Sequence, residues 1–199
     1  NKAVNGPINL EEETPDSTKA RNFLFEALVA ARLHAPTLGA STILDAPSDA
    51  GVLFGGRKIW VECKRVTSEG QIEKNVRKAS SQLEEAFKKK TGSGHRGMVA
   101  LDVSKILNPG DRIYVRENDA HLLQSVDRLM NELIERYAPV WKRVYERRDR
   151  KVIGTIARFA FMSTSEERNL LVHTAQWGMN PRVDTSGKNK SLQKELAAA

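Results

Sequence analysis

A pair of consecutive glycines constrains the fold of this chain more than any other feature of the sequence. Gly55 and Gly56 separate two extended runs of mostly branched and aromatic residues, 50–54 and 58–66. A two-residue glycine loop between runs of this kind is typical of a β-hairpin, because glycine adopts the positive φ that the tight turn needs. The sequence therefore predicts an antiparallel pair of strands whose register is set by the turn.

Counting outward from the turn predicts which side chains share a face of the hairpin. Asp49 then lies directly opposite Glu62, and the two-residue repeat of a strand puts Lys64 on the same face. Two carboxylates opposite one another repel, so this arrangement calls for a cation between them. Mg²⁺ binds one or two carboxylates and takes water or phosphate oxygens as its other ligands. The hairpin therefore predicts a magnesium site with Asp49 and Glu62 as ligands, and with Lys64 placed to orient or deprotonate an attacking water.

The acid-x-Lys tripeptide at 62–64 carries little information by itself. The same pattern occurs again at 149–151, in a basic polar stretch. The first occurrence ends a predicted strand, faces an acid and is followed at once by a helix, which favours a metal site over an exposed hairpin with surface salt bridges. Asp45 is a competing ligand, although the hairpin register favours Asp49.

The remaining sequence predicts one mixed α/β domain at 17–177, after a flexible lead at 1–16 and before a polar tail at 178–199 that ends in a cloning remnant. Helices are predicted from about residue 17 to His34, from Ser68 to about Lys90 with Ser68 and Gln71 as a capping box, from Asp119 to Tyr137, and from Pro139 onward. Strands are predicted at 41–44, 50–54, 58–66, 98–103, 152–162 and 170–177.

The charge and the cysteine content indicate the kind of partner and the cellular compartment to expect. The chain has 32 Lys and Arg against 25 Asp and Glu, a net charge of +7, which favours a polyanionic partner. The single cysteine, Cys63, excludes an internal disulfide and a Cys-rich zinc site and indicates a reducing, cytoplasmic setting. No apolar run approaches the roughly 20 residues of a membrane span, so no membrane partner is expected.

Two polar surfaces are candidates for contact with a nucleic-acid backbone. The helix after Lys64 and the helical piece after Pro139 carry amide, ammonium and guanidinium groups that suit phosphate oxygens. A solvated helix face is the alternative for the first surface, and a solubility feature is the alternative for the second. The candidates are Gln71, Lys74, Lys78 and Gln82 on the first surface, and Arg143, Arg147 and Arg148 on the second.

One acid is out of place in the first predicted helix. Glu26 interrupts an otherwise apolar stretch at 23–30. A carboxylate in this position must reach solvent or be kept for a partner.

With these features, the sequence resembles the PD-(D/E)XK nuclease superfamily, which has the restriction-endonuclease-like fold. The resemblance is carried by Asp49, twelve intervening residues and Glu62-Cys63-Lys64, between the helix with Glu26 and the helix that follows. It covers about residues 17–103, in the order helix, three strands, helix, strand. Pro47 is the only counterpart of the proline in the family name, and the Gln-x-x-x-Tyr signature of RecB-like members is missing.

The resemblance implies a Mg²⁺-dependent nuclease, with Mn²⁺ as a substitute, that hydrolyses DNA phosphodiester bonds as an endonuclease. It also implies that Glu26 is an auxiliary catalytic acid and metal ligand and that the backbone carbonyl of Cys63 binds the metal. The alternative is a catalytically silent domain of the same fold that binds nucleic acid or protein. RNA as the substrate and a homodimer or larger assembly stay open.

Overall fold

A computed structural model describes residues 18–89, 94–167, 169–183 and 187–198 of the chain. Within these ranges, seven β-strands form one mixed sheet that is flanked by helices. This confirms the predicted α/β class. The predicted flexible lead at 1–16 lies outside the described residues.

The elements follow one another along the chain with short connections. The helices are α1 Thr18–Leu33, α2 Ile72–Lys89, α3 Ser104–Leu107, α4 Asp119–Arg136, α5 Ala138–Glu146 and α6 Gly187–Ala198. The strands are β1 Ala40–Thr42, β2 Ala50–Phe54, β3 Arg57–Arg65, β4 His95–Asp102, β5 Tyr114–Arg116, β6 Val152–Ser165 and β7 Val172–Pro181. Two 3₁₀ turns, Pro36–Leu38 and Glu69–Gln71, precede β1 and α2.

The hairpin of β2 and β3 has the predicted register. Gly55 and Gly56 form its turn with φ values of +54° and +72°, in the left-handed region that favours glycine. The pairs run from Phe54 opposite Arg57 to Ala50 opposite Val61. One further step along this register places Asp49 against Glu62, as predicted.

The sheet combines antiparallel and parallel pairing. β1 pairs antiparallel with β2, and β7 pairs antiparallel with β6. β3 runs parallel to β4, β4 runs parallel to the first half of β6, and β5 runs parallel to the end of β6. α3 and β5 were not predicted, because elements of four and three residues are too short to show a hydrophobic period.

Helices cover both faces of the sheet and separate two apolar cores. On the α2 face, helices α2, α4 and α5 pack against β-strand residues such as Trp60, Val99 and Leu101. On the α1 face, Phe25 and Val29 of α1 and residues of α6 pack against the other side of the same strands. Five apolar residues that recur every three or four positions along α2, namely Ile72, Val76, Ala79, Leu83 and Phe87, are all buried.

The predicted capping box at the start of α2 is wrong. The side chain of Ser68 makes no capping hydrogen bond, and Oε1 of Gln71 accepts a hydrogen bond from Oγ1 of Thr67 at 3.1 Å. The intervening 3₁₀ turn is held instead by Glu69, whose carboxylate binds Arg136 at 3.0 Å and the hydroxyl of Tyr137 at 2.7 Å. Long-range partners therefore replace the local cap.

The prediction of a polar tail fails for the segment that forms α6. Leu192 is 3% exposed and belongs to the core on the α1 face. The side-chain amide of Gln193 donates to the carbonyls of Ile153 and Arg182 at 2.6 and 2.9 Å. The packing of this segment could not be predicted from its polar composition, because it has few apolar residues on its buried side.

None of the helices in the described part of the chain is both long enough and apolar enough to cross a membrane.

Candidate metal centre

The hairpin brings the three predicted site residues together at the end of β3. Glu62 and Lys64 share the α2 face with Trp60 through strand alternation, and Asp49 directly precedes β2. The ammonium Nζ of Lys64 lies 3.1 Å from Oε2 of Glu62 and 3.4 Å from Oδ2 of Asp49. The structure therefore confirms that these residues meet. The competing acid Asp45 and Asp49 are both exposed, so exposure does not distinguish the two acids.

The backbone of Cys63 completes the cluster. Its N–H donates to Oδ2 of Asp49 at 2.8 Å, and its carbonyl oxygen accepts a hydrogen bond from Nζ of Lys64 at 3.0 Å. Three oxygens thus converge on the ammonium of Lys64. They come from the side chains of Asp49 and Glu62 and from the backbone of Cys63.

Burial and charge make the cluster responsive to protons. Glu62 is 4% exposed. Burial and the negative charge of Asp49 together raise the pKa of Glu62 to about 7, against the opposing effect of the Lys64 ammonium. The carboxyl of Glu62 therefore exchanges its proton near neutral pH.

The side chain of Cys63 faces away from the cluster. It packs on the α1 face with Phe25 and Val29. Burial and, after it, the negative charges of Asp49 and Glu26 raise the pKa of the thiol above its ordinary value. A protonated, buried thiol is not a nucleophile, which supports the prediction that only the carbonyl of Cys63 belongs to the site.

Glu26 lies on α1, on the opposite face of the sheet from Glu62 and Lys64. It is half-buried, and its negative charge contributes to the raised pKa of the Cys63 thiol. In the part of the chain that the structure describes, no three His, Cys, Asp or Glu side chains are grouped closely enough to hold a metal ion. The predicted role of Glu26 as a third acid therefore stays a prediction.

The donor atoms fit a hard divalent cation. Mg²⁺ prefers oxygen ligands and commonly keeps several water or phosphate oxygens beside one or two carboxylates. Asp49, Glu62 and the carbonyl of Cys63 supply three oxygens around one point, and that point already holds a positive charge. These atoms would hold the metal, and water and substrate would complete its coordination.

Gln71 of the 3₁₀ turn and the polar residues of α2 follow this cluster along the chain. Gln71, Lys74 and Lys78 are exposed. Gln82 is half-buried, and its Oε1 is buried without a hydrogen-bond partner among the described residues. Exposed groups of this kind are accessible to phosphate, so the contacts predicted for this helix stay predictions.

Ion pairs engage two of the three arginines predicted to contact nucleic acid. Arg143 binds Glu73 at 3.0 Å and Arg148 binds Glu84 at 2.9 Å. Both acids lie on α2, so these pairs tie α5 and the residues after it to α2. Arg147 is exposed and is therefore accessible to a phosphate.

A buried ion pair joins two neighbouring strands of the sheet and was not predicted from the sequence. Arg158 on β6 binds Asp102 on β4 at 3.0 Å, and both residues are more than nine-tenths buried. The guanidinium also lies 5.8 Å from the ring centre of Trp177. Asp102 is paired in register with Arg65, the residue after Lys64. The only signal in the sequence was a lone arginine inside the apolar run of β6.

Comparisons with known proteins give no relative for this chain. No family model matches it, and no match was found among curated proteins or among solved structures.

Proposed function

We propose that this protein is a divalent-metal-dependent endonuclease that hydrolyses DNA phosphodiester bonds and has a restriction-endonuclease-like core. One observation carries the proposal: oxygens of Asp49, Glu62 and the Cys63 backbone converge on one point, which the ammonium of Lys64 occupies. The succession of α1, the three strands β1–β3, α2 and β4 supports the core assignment.

Each group of the cluster has a role in hydrolysis. Asp49, Glu62 and the carbonyl of Cys63 hold the metal, and Glu26, which lies outside this cluster on α1, is proposed as the auxiliary acid. A bound divalent metal lowers the pKa of a coordinated water and stabilises negative charge on phosphate oxygens. Lys64 orients the attacking water or stabilises the charge that develops on the phosphate.

The surface charge supports a polyanionic substrate. The net charge of +7 attracts nucleic acid. Gln71 in the 3₁₀ turn and Lys74 and Lys78 on α2 are exposed. Amide and ammonium groups of this kind position phosphates without reading sequence. DNA binding at this surface therefore places a phosphodiester beside the metal centre.

The test is incubation of a supercoiled plasmid with the protein in Mg²⁺, Mn²⁺ or EDTA. Nicked and linear products are expected with either metal and not with EDTA, because only internal cleavage relaxes a circle. Asp49→Asn removes a ligand, and Asp111→Asn, which removes an exposed acid between α3 and β5, is the matched control. Cleavage by Asp49→Asn at the wild-type rate, or full cleavage in EDTA, would contradict the proposal.

A catalytically silent nucleic-acid-binding domain is the second candidate. The observation that favours it is the lack of a three-acid group among the described residues. Retention of plasmid in a mobility-shift assay without cleavage in either metal would select this candidate over the nuclease.

A further inference from the structure

The ammonium of Lys64 occupies the point on which the proposed metal ligands converge. Nζ lies 3.0 Å from the carbonyl oxygen of Cys63, 3.1 Å from Oε2 of Glu62 and 3.4 Å from Oδ2 of Asp49. Its side chain is 15% exposed. The lysine proposed to act on substrate is therefore engaged with the ligand atoms themselves.

The same three oxygens cannot bind both cations. A magnesium ion lies about 2.0–2.1 Å from each ligand oxygen, whereas Nζ holds these oxygens at hydrogen-bond distance. With both cations in place, the two positive charges would lie within a few ångströms of each other and repel. One of them must leave.

We propose that Lys64 is the counter-cation of the metal-free centre and that divalent-metal binding displaces its ammonium and makes it available to substrate. This inference rests on the proposed function, because it assumes that the cluster binds a metal. Before metal binds, the ammonium offsets the repulsion between Asp49 and Glu62 and keeps the centre assembled. Lys64 therefore becomes accessible only in a centre that is loaded with metal.

Chemical footprinting of lysine tests the displacement without measuring activity. The protein is treated briefly with an N-hydroxysuccinimide acetate reagent at fixed pH, in EDTA or in saturating Mg²⁺, and acetylation of each lysine is followed by mass spectrometry. Lys74 and Lys78, which are exposed on α2, are the internal controls. Lys64 is expected to react slowly in EDTA and about fivefold faster or more in Mg²⁺, within the usual range of coupling between two ligands, while the controls do not change.

The matched variant is Asp49→Asn, which removes one contact of the ammonium and one metal ligand. In this variant Lys64 is expected to react faster than in the wild type in EDTA and to respond little to Mg²⁺. A Lys64 reaction rate in the wild type that is unchanged or lower in saturating Mg²⁺ would overturn the inference. Lack of any Mg²⁺ or Mn²⁺ binding by calorimetry would overturn it as well.

A second variant measures the competition directly. Lys64→Met keeps the length of the side chain and removes the charge, so Mn²⁺ no longer has to displace an ammonium. Its Mn²⁺ affinity by calorimetry is expected to rise about fivefold or more, and weaker binding in a folded variant would contradict the inference.

Plasmid cleavage under the same conditions separates this inference from the proposed function. If the wild type cleaves the plasmid and the reactivity of Lys64 does not change, the displacement of the Lys64 ammonium is rejected and the nuclease activity is retained. Increased reactivity of Lys64 in Mg²⁺ without cleavage supports the displacement and rejects the nuclease activity.

Discussion

The backbone N–H of Cys63 donates to Oδ2 of Asp49 at 2.8 Å, between residues 14 positions apart in the chain. This bond holds the acid that precedes β2 against the end of β3, so Asp49 is in place before any metal binds. Preorganised ligands of this kind reduce the entropy that binding must overcome.

Replacement of either facing acid should abolish nicking and preserve the fold. Asp49→Ala and Glu62→Ala each remove a metal ligand but also relieve the repulsion between the two carboxylates in the metal-free protein. Plasmid nicking is expected to fall by about two orders of magnitude or more, with melting temperatures in EDTA close to that of the wild type. Wild-type nicking by either folded variant would rule out the metal centre as assigned.

The stability of the metal-free protein should fall as the pH rises toward neutrality. The pKa of Glu62 is raised to about 7 from an ordinary 4.5 by burial and by Asp49, so the folded state retains a proton that the unfolded state releases. The resulting stabilisation is fully present below about pH 4.5 and is lost as the pH rises through about 7. In Glu62→Gln, the free energy of unfolding measured by chemical denaturation should change less with pH between these two values. An identical slope for variant and wild type would show that Glu62 is not the titrating group.

Cys63 and Lys64, neighbours in β3, should respond in opposite ways to substitution. Cys63→Ala retains the carbonyl oxygen, so cleavage should stay within a few fold, while loss of the buried thiol costs about 1–2 kcal/mol of stability. Lys64→Ala should remain folded and lose about two to four orders of magnitude in cleavage rate. Lys64→Arg should rescue poorly, because a guanidinium does not act as a base and its planar fork does not fit the ammonium position.

Nicking rate and melting temperature, measured for these three variants, distinguish the two residues. An inactive but stable Cys63→Ala, or an active Lys64→Ala, would contradict the assignment of the two faces of β3.

Glu26→Gln should lower activity without destabilising the core. Glu26 is half-buried, and glutamine keeps the shape of this side chain while removing its charge. If Glu26 assists metal binding, the increase in melting temperature on addition of Mg²⁺ should be smaller in Glu26→Gln than in the control Lys19→Gln on the same helix. Equal increases and equal activity would show that α1 supplies no ligand.

Arg147→Ala should weaken DNA binding in a salt-dependent manner. Each lost phosphate contact reduces the slope of log affinity against log salt by about 0.9 for duplex DNA, and filter binding at several salt concentrations measures this slope. Arg148→Ala serves as the comparison, because Arg148 already pairs with Glu84 and its loss also removes a link to α2. A slope for Arg147→Ala equal to that of the wild type would show that Arg147 does not contact the DNA backbone.

Local physical constraints allowed the hairpin register and the meeting of Asp49, Glu62 and Lys64 to be predicted from the sequence. The φ requirement of Gly55 and Gly56 determined the turn, and the turn determined the register of the hairpin. Strand alternation then put Glu62 and Lys64 on one face and the thiol of Cys63 on the other. Each step depends on residues that are close in the chain, which is why the prediction succeeded.

Contacts between distant segments were decided only by the tertiary structure. The ion pairs Arg143–Glu73, Arg148–Glu84 and Arg158–Asp102 join residues 70, 64 and 56 positions apart. α6 is polar in composition, yet it buries Leu192 in the core. No local pattern encodes such partners, because they depend on which helix faces which strand after the chain has folded.

The position of the Lys64 ammonium also depends on the tertiary structure. The sequence predicted that Lys64 lies beside two acids. The alternation of side chains along a strand specifies only the face of the sheet, however, and not the direction of a flexible four-carbon side chain. The convergence of Asp49, Glu62 and the Cys63 carbonyl makes the point between them the most favourable place for a positive charge, and Nζ lies there.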